Sequence, residues 1–335
     1  MIMRVKVFAF RLAMVTLLIL SSAAGAAVWA NAPKAASRTG QQPRAPMAVE
    51  PSARPGIYMA GDWYSQEPGR YHLAGGYWTF NWSDVESTNP GEYDWSLIDA
   101  WLNRQANKGK AAGFGISIYN GRCCSGGDGL SAIPEWLRAV PGAYVQDWPH
   151  EWKIPKYWNE TLLSAYGDFI QALGDKYRND PRVEFVAIGT GMYGETRACD
   201  PYDLDILELA GLTEDLWIQT VYTITDYYIS AFSEDGQLKK TLFQQYGPWN
   251  WRPRERREIG RYSADRGVGL SFNGLYPDDE WAVVRDLDPR GGVWVWVGKY
   301  DQMYEYWQDV PLAWETYHYM LCAVSYTHLT LPTKA

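Results

Sequence analysis

Histidine is scarce, four in 335 residues, and none of the four stands at ligand spacing from a cysteine pair. A zinc-type site of imidazole and thiolate is therefore a poor reading, and the sequence calls for no metal or cofactor. Positive charge is also in deficit, 31 Lys and Arg against 39 Asp and Glu, a formal net charge of −8. Loss of an N-terminal segment carrying Arg4, Lys6 and Arg11 would make it more negative still. A polyanion would be repelled, which argues against nucleic acid as a partner. The apolar run from Leu12 to Ala27 is shorter than the roughly 20 residues a spanning helix needs. The glycine-rich loop from Gly121 to Gly129 lacks the Lys-Ser/Thr ending of a phosphate cradle and reads as a rim loop. No internal repeat stands out.

What is present is ring. There are 18 Trp and 24 Tyr against 9 Phe, an excess of aromatics with a polar edge. Such rings combine a flat apolar face with a hydrogen-bonding group, which suits the C–H face and hydroxyls of a sugar; they also pack cores and rims. With 47% hydrophobic and 21% charged residues, the chain can bury one large core. Met1 to Ala32, with its basic start, apolar run and Ala30-Asn31-Ala32 ending, reads as a signal peptide, with an uncleaved membrane anchor as the alternative. The expected location is secreted, periplasmic or cell-surface. Export permits disulfides, and a bridge from Cys123 or Cys124 to Cys199 is the plausible one, because the two adjacent cysteines cannot pair without strain. Residues 33–55, rich in Pro, Ala, Ser and Arg, read as a linker.

From Gly56 onward, strand-length apolar runs alternate with amphipathic helices, the order that gives βαβ units and a parallel sheet. Seven strands are predicted: Gly56 to Trp63, Gly75 to Trp82, Ala111 to Tyr119, Val183 to Thr190, Leu242 to Tyr246, Val268 to Phe272 and Val310 to Trp314. Helices are predicted from Trp95 to Lys108 behind Asp94, from Asn159 to before Asp180-Pro181, and from Thr213 to Phe232. The fold class is α/β, a (β/α)₈ TIM barrel over 56–323, expected to be incomplete before an eighth strand. Residues 324–335, His328 included, have no element pattern and read as a non-native tail without functional weight.

In such a barrel, reactive groups stand where strands end and βα loops begin. Strand four runs into Ile188-Gly189-Thr190-Gly191-Met192-Tyr193-Gly194-Glu195 and strand seven into Pro311-Leu312-Ala313-Trp314-Glu315, each delivering a carboxylate to that rim. Retaining cleavage of a glycosidic bond needs two such groups about 5 Å apart, one a general acid and one a nucleophile. Glu195 is assigned the acid/base role, its proton kept by apolar neighbours such as Met192 and Tyr193, and Glu315 the nucleophile's. Trp63, Trp78, Trp82, Trp249, Trp251, Tyr276 and Trp314 lie at or near strand ends as sugar platforms or rim packing. Asp84 and Glu86 read as loop-positioning acids, and Asp278-Asp279-Glu280 as a solvated run.

Trp82-Ser83-Asp84-Val85-Glu86, then Pro90-Gly91-Glu92-Tyr93-Asp94-Trp95 and Asp99, resembles the strand-two segment of clan A glycoside hydrolases, in particular family 42 β-galactosidase-like barrels. Pro134-Glu135-Trp136-Leu137 is similar to a Pro-x-Trp-Leu stretch of the same enzymes. The resemblance spans roughly 56 to 320. It implies an acid/base Glu after strand four and a nucleophile Glu after strand seven, where Glu195 and Glu315 stand, and an oligo- or polysaccharide with β-linked sugars as substrate. One departure stands out: the clan has Asn before the strand-four Glu, contacting the sugar 2-hydroxyl, and here that position is Gly194. Gln245 and Asn273 are the expected substitutes. A barrel that binds glycans without cleaving them is the alternative.

Overall fold

The computed structural model describes residues 53–60, 73–147, 151–200, 203–246, 253–273, 285–287, 293–295, 306 and 308–315, with backbone alone at Cys123, Cys124, Pro253, Asn273, 285–287, 293–295, Trp314 and Glu315. The chain divides into two units, Met1–Ala45 and Pro46–Ala335, and the first lies wholly outside the described residues. The expected tail at 324–335 does too.

Seven strands form one sheet: β1 (Ile57–Ala60), β2 (Leu73–Asn81), β3 (Ala111–Ser117), β4 (Val183–Ile188), β5 (Thr241–Tyr246), β6 (Gly269–Asn273) and β7 (Leu312–Glu315). Their spatial order equals their chain order and every neighbouring pair is parallel. A doubly wound sheet would reverse direction at a switch point. This one never does, which is the winding of a TIM barrel, and the sheet curls as a half-barrel. All seven strands fall within a residue or two of the runs the sequence predicts, shorter at several ends; of the first run, 61–63 lie outside the described residues.

The connections carry α1 (Ser96–Asn107), α2 (Glu160–Tyr177), α3 (Glu214–Ala231) and α4 (Pro253–Ala264). Local chemistry sets where three of them begin: Asp94 accepts from the Ser96 N–H at 2.9 Å, Asn159 from Leu162 at 3.0 Å and Thr213 from Leu216 at 3.2 Å. The stripe Leu162, Tyr166, Phe169, Ile170, Leu173 and Tyr177 of α2 is buried as its spacing requires. Helix α4 was not apparent from the sequence; half of its residues are charged, and proline at its first position is the signal that marks it.

Strand alternation sorts the sheet into two faces. Toward the helices go Phe114, whose ring meets Tyr177 at 5.5 Å, and Gln244, which accepts from Thr225 of α3 at 3.0 Å. Toward the interior go Tyr58, Tyr77, Phe185 and Phe243, with ring centroids 5.0, 5.9 and 5.5 Å from Phe185. Glycine makes room for these rings. A β-carbon on Gly113 would lie 2.1 Å from the Phe185 ring, and one on Gly269 would lie 2.7 Å from Phe243. The space a side chain would have used is filled by a ring from the next strand.

Charged groups hold the amino ends of the strands. Arg182, just before β4, bonds Asp180 at 3.0 Å and Asp99 at 2.8 Å, while Lys240, just before β5, donates to the carbonyls of Asp180 and Val183 at 2.7 and 3.0 Å. No helix among the described residues is long and apolar enough to cross a membrane.

Candidate active site

Along the interior phase the residues change character toward the carboxyl ends, from aromatic to polar. Asn81 ends β2 in register with Ser117 of β3, Gln245 of β5 is in register with Ser271 of β6, and Asn273 of β6 is in register with Glu315 of β7. The floor of rings thus carries a rim of carboxamides, hydroxyls and carboxylate positions, on the face where a barrel does chemistry.

Glu195 closes the loop that leaves β4 and is 3% exposed. The loop is tied on every side. Thr190 Oγ1 donates to the Glu195 carbonyl at 2.7 Å, the Thr196 N–H donates to the Gln245 carbonyl at 2.9 Å, and Trp217 Nε1 donates to the Thr196 carbonyl at 3.0 Å. Tyr157 OH holds the Ala198 carbonyl at 2.7 Å, and Tyr193 N–H bonds the Tyr119 carbonyl of the β3 loop at 2.7 Å. Tyr193 itself sits at φ 59°. A bulky residue in the left-handed region costs on the order of 1–3 kcal/mol and persists only where its surroundings over-determine it. The backbone that presents Glu195 is held in place by these bonds.

Its surroundings differ from the apolar pocket expected. Met192 is fully buried beside it, but Arg197 Nε lies 3.6 Å from Glu195 Oε2, and the guanidinium rests over the Tyr193 ring at 5.5 Å.

The Gly194 departure has a geometric cause. Gly194 has φ +83°, and a β-carbon there would come 2.9 Å from the Ile116 carbonyl oxygen. An asparagine in this backbone would need both the left-handed region and a shift of β3. Any contact to a sugar hydroxyl must come from elsewhere on the rim.

The structure brings Glu195, Tyr193 and Gln245 together, through the Thr196–Gln245 bond between their strands. Glu315 ends β7 on the interior phase by register; its side chain, like that of Asn273, lies outside the described residues. Trp63, Trp249, Trp251 and Tyr276 lie outside them altogether, as do Asp278, Asp279 and Glu280. Two platform readings are corrected. Trp82 is fully buried, tilted against Tyr166 at 5.0 Å and stacked on Phe169 at 5.6 Å, with its N–H donated to Glu86 at 2.8 Å. It belongs to the core, where burying such a ring is worth about 3 kcal/mol. Trp78 is 46% exposed but stands on the helix-facing side, 6.4 Å from Trp101 of α1. Position 314 is in register with the outward Phe272, off the interior phase.

Glu86 positions a loop, as read: it accepts from Trp82 at 2.8 Å and from the Gly91 N–H at 2.7 Å, and burial pushes its carboxyl up. The Gly121 loop is clasped by Arg122, which grips the fully buried Asp203 at 2.5 Å. Cys199 is buried, and the side chains of Cys123 and Cys124 lie outside the described residues. Three residues of the site escaped the sequence reading: Arg197, Asn81 and Asn120. Strand-end position was the signal for the two asparagines.

No family profile matches the sequence, and no curated protein matches it. Among solved structures, the catalytic domain of a β-amylase from Paenibacillus polymyxa superposes with a TM-score of 0.51 at 11% identity, covering 73% of this chain and 78% of that one. Slighter likenesses, which carry no argument, are to endo-glycoceramidase II from Rhodococcus sp. (TM-score 0.40, 14% identity, 75% of this chain and 66% of that one) and to a β-galactosidase from Halorubrum lacusprofundi (0.43, 11%, 66% and 40%). At such identity the β-amylase likeness speaks for the fold alone, a TIM barrel.

Proposed function

We propose that the protein is a secreted, retaining glycoside hydrolase acting on β-linked sugars, with Glu195 as acid/base and Glu315 as nucleophile. The observation that carries this reading is a buried glutamate on a backbone-tethered loop at the carboxyl end of β4, on a rim whose interior phase also holds position 315 at the end of β7. In the first step Glu195 protonates the leaving glycosidic oxygen while the Glu315 carboxylate attacks the anomeric carbon; in the second, Glu195 takes a proton from water as it displaces the enzyme ester. Arg197 is suited to the moment between them, when Glu195 carries negative charge. Export through the N-terminal segment and a bridge from Cys123 or Cys124 to Cys199 are parts of the same proposal.

The test is kinetic, on the full-length chain with aryl β-glycosides. Glu315→Ala should lower kcat by about 10³-fold or more, and Glu195→Gln should lower kcat/KM by about 10²–10⁴-fold on poor leaving groups but little on dinitrophenyl glycosides, whose departure needs no proton, while kcat falls on both because the second step still needs the base. An unaffected Glu315→Ala variant ends the reading.

Gly194 favours a second reading, a barrel that binds glycans at the cell surface without cleaving them, because the contact that strengthens in the transition state is missing at its usual place. Turnover of any aryl glycoside rules it out.

A further inference from the structure

Asp84, Asn81, Asn120 and Ser117 form a chain of hydrogen bonds across the carboxyl ends of β2 and β3. Asp84 accepts from the Asn81 backbone N–H at 2.8 Å and from Asn81 Nδ2 at 3.4 Å; Asn81 Oδ1 accepts from Asn120 Nδ2 at 2.6 Å; Asn120 Oδ1 accepts from Ser117 Oγ at 2.7 Å. The direction is forced. An ionised carboxylate only accepts, so the Asn81 amide must turn its NH₂ toward Asp84 and its oxygen toward Asn120, which fixes Asn120 in turn. Each carboxamide spends one N–H and one lone pair in the chain. Each keeps one of both, and both residues are half-buried on the interior rim.

The pair also has a place. Asn120 follows Tyr119, which bridges Met192 and accepts from the Tyr193 N–H at 2.7 Å, so it adjoins the loop that ends in Glu195. Two donors and two acceptors, oriented in advance on neighbouring strands, match two adjacent hydroxyls of a pyranose, each of which donates one hydrogen bond and accepts others.

We infer that Asn120 and Asn81 form a subsite for a vicinal diol of the sugar held at Glu195, supplying the hydroxyl contact that Gly194 cannot. This rests on the glycoside hydrolase reading for the identity of the ligand. It does not require that the sugar be cleaved.

The experiment uses the full-length Glu315→Gln protein, which should not turn substrate over, and measures the Kd of methyl β-D-galactopyranoside, methyl β-D-glucopyranoside and the 2-deoxy and 3-deoxy forms of each. Asn120→Ala is expected to weaken the better-bound methyl glycoside about tenfold, the effect of one to two lost hydrogen bonds. It should also abolish the discrimination against one deoxy form that the parent shows. Asn81→Ala, which leaves the Ser117–Asn120 bond in place, should act in the same direction if Asn120→Ala does not fold. Unchanged affinity and unchanged deoxy discrimination in either folded variant overturns the subsite, whatever happens to catalysis. Absence of binding of all six probes by the Glu315→Gln protein overturns subsite and function together. Normal variant sensitivity in a protein that never hydrolyses an aryl glycoside supports the subsite and removes only the hydrolase.

Discussion

The two ends of this barrel handle polarity in opposite ways. At the amino ends, Arg54, Asp180, Arg182, Glu184 and Lys240 meet as ion pairs and charge-assisted bonds at or near the surface, with Arg54 joined to Glu184 at 3.1 Å and Lys240 donating to two carbonyls. At the carboxyl ends, charge is withheld or constrained: Glu195 is buried beside the Arg197 guanidinium, Asn81 and Asn120 are neutral, and Glu255 is buried at the start of α4. Burial pushes the Glu255 carboxyl up to about 8, opposed by the bond from Trp217 and the neighbouring Arg256. The first arrangement lowers the energy of the fold whatever is bound. The second keeps polar groups that the fold alone does not need, which is how a site differs from a scaffold.

The sharpest way to separate the two ends is pH. Glu255 joins the site through Trp217, whose N–H it shares with the Thr196 carbonyl at 3.1 and 3.0 Å. Its folded pKa lies above the unfolded value of 4.5, so the folded state keeps a proton that the unfolded state has released. Its contribution is therefore full below pH 4.5 and is lost as pH rises toward 8, a slope worth up to about 5 kcal/mol across that window. Glu255→Gln should flatten the slope, raising the melting temperature at pH 8 and leaving it little changed at pH 4.5. Equal slopes in parent and variant would show the carboxyl to be ionised in the fold.

A smaller effect is expected at the other end. Arg182→Ala removes bonds to Asp180, Asp99 and Asn103 and should lower stability by about 1–3 kcal/mol in urea unfolding, with kcat of the folded fraction unchanged. A fall in kcat at full folding would mean that the amino rim is not mere scaffold. Smallest is Gly194→Asn, which restores the residue common in the resembled clan. With φ +83° and the Ile116 carbonyl 2.9 Å from the new β-carbon, it should destabilise by about 1–2 kcal/mol and gain no activity. An activity gain would show that the β4 loop can move to admit it.

Much of this was legible before any coordinates. Strand runs such as Ala111 to Ile116 are apolar throughout because both faces are covered, and the helix openings at Asn159 and Thr213 are written in single capping residues. Glu195 stands out in the sequence as a carboxylate just past an apolar strand, where the rim of a barrel lies. The same continuity hid the rest. With both faces buried, the period-two alternation vanishes, so nothing in the sequence tells that Trp78 faces α1 while Tyr77 faces the interior. Trp82 misled for a related reason: it lies one residue past β2, in a 3₁₀ turn that carries it into the core. Asn81 and Asn120 are 39 positions apart and meet only because β2 and β3 pair in register. Arg197 is two residues past Glu195, yet their approach depends on a loop that doubles back through two successive positive-φ residues, Tyr193 and Gly194.

The ring of Phe185 occupies the volume that a side chain on Gly113 would claim. Enlarging the glycine would push that ring aside, and shrinking the phenylalanine would open a void between the strands. The two residues share one volume, so a change in either is felt at the other.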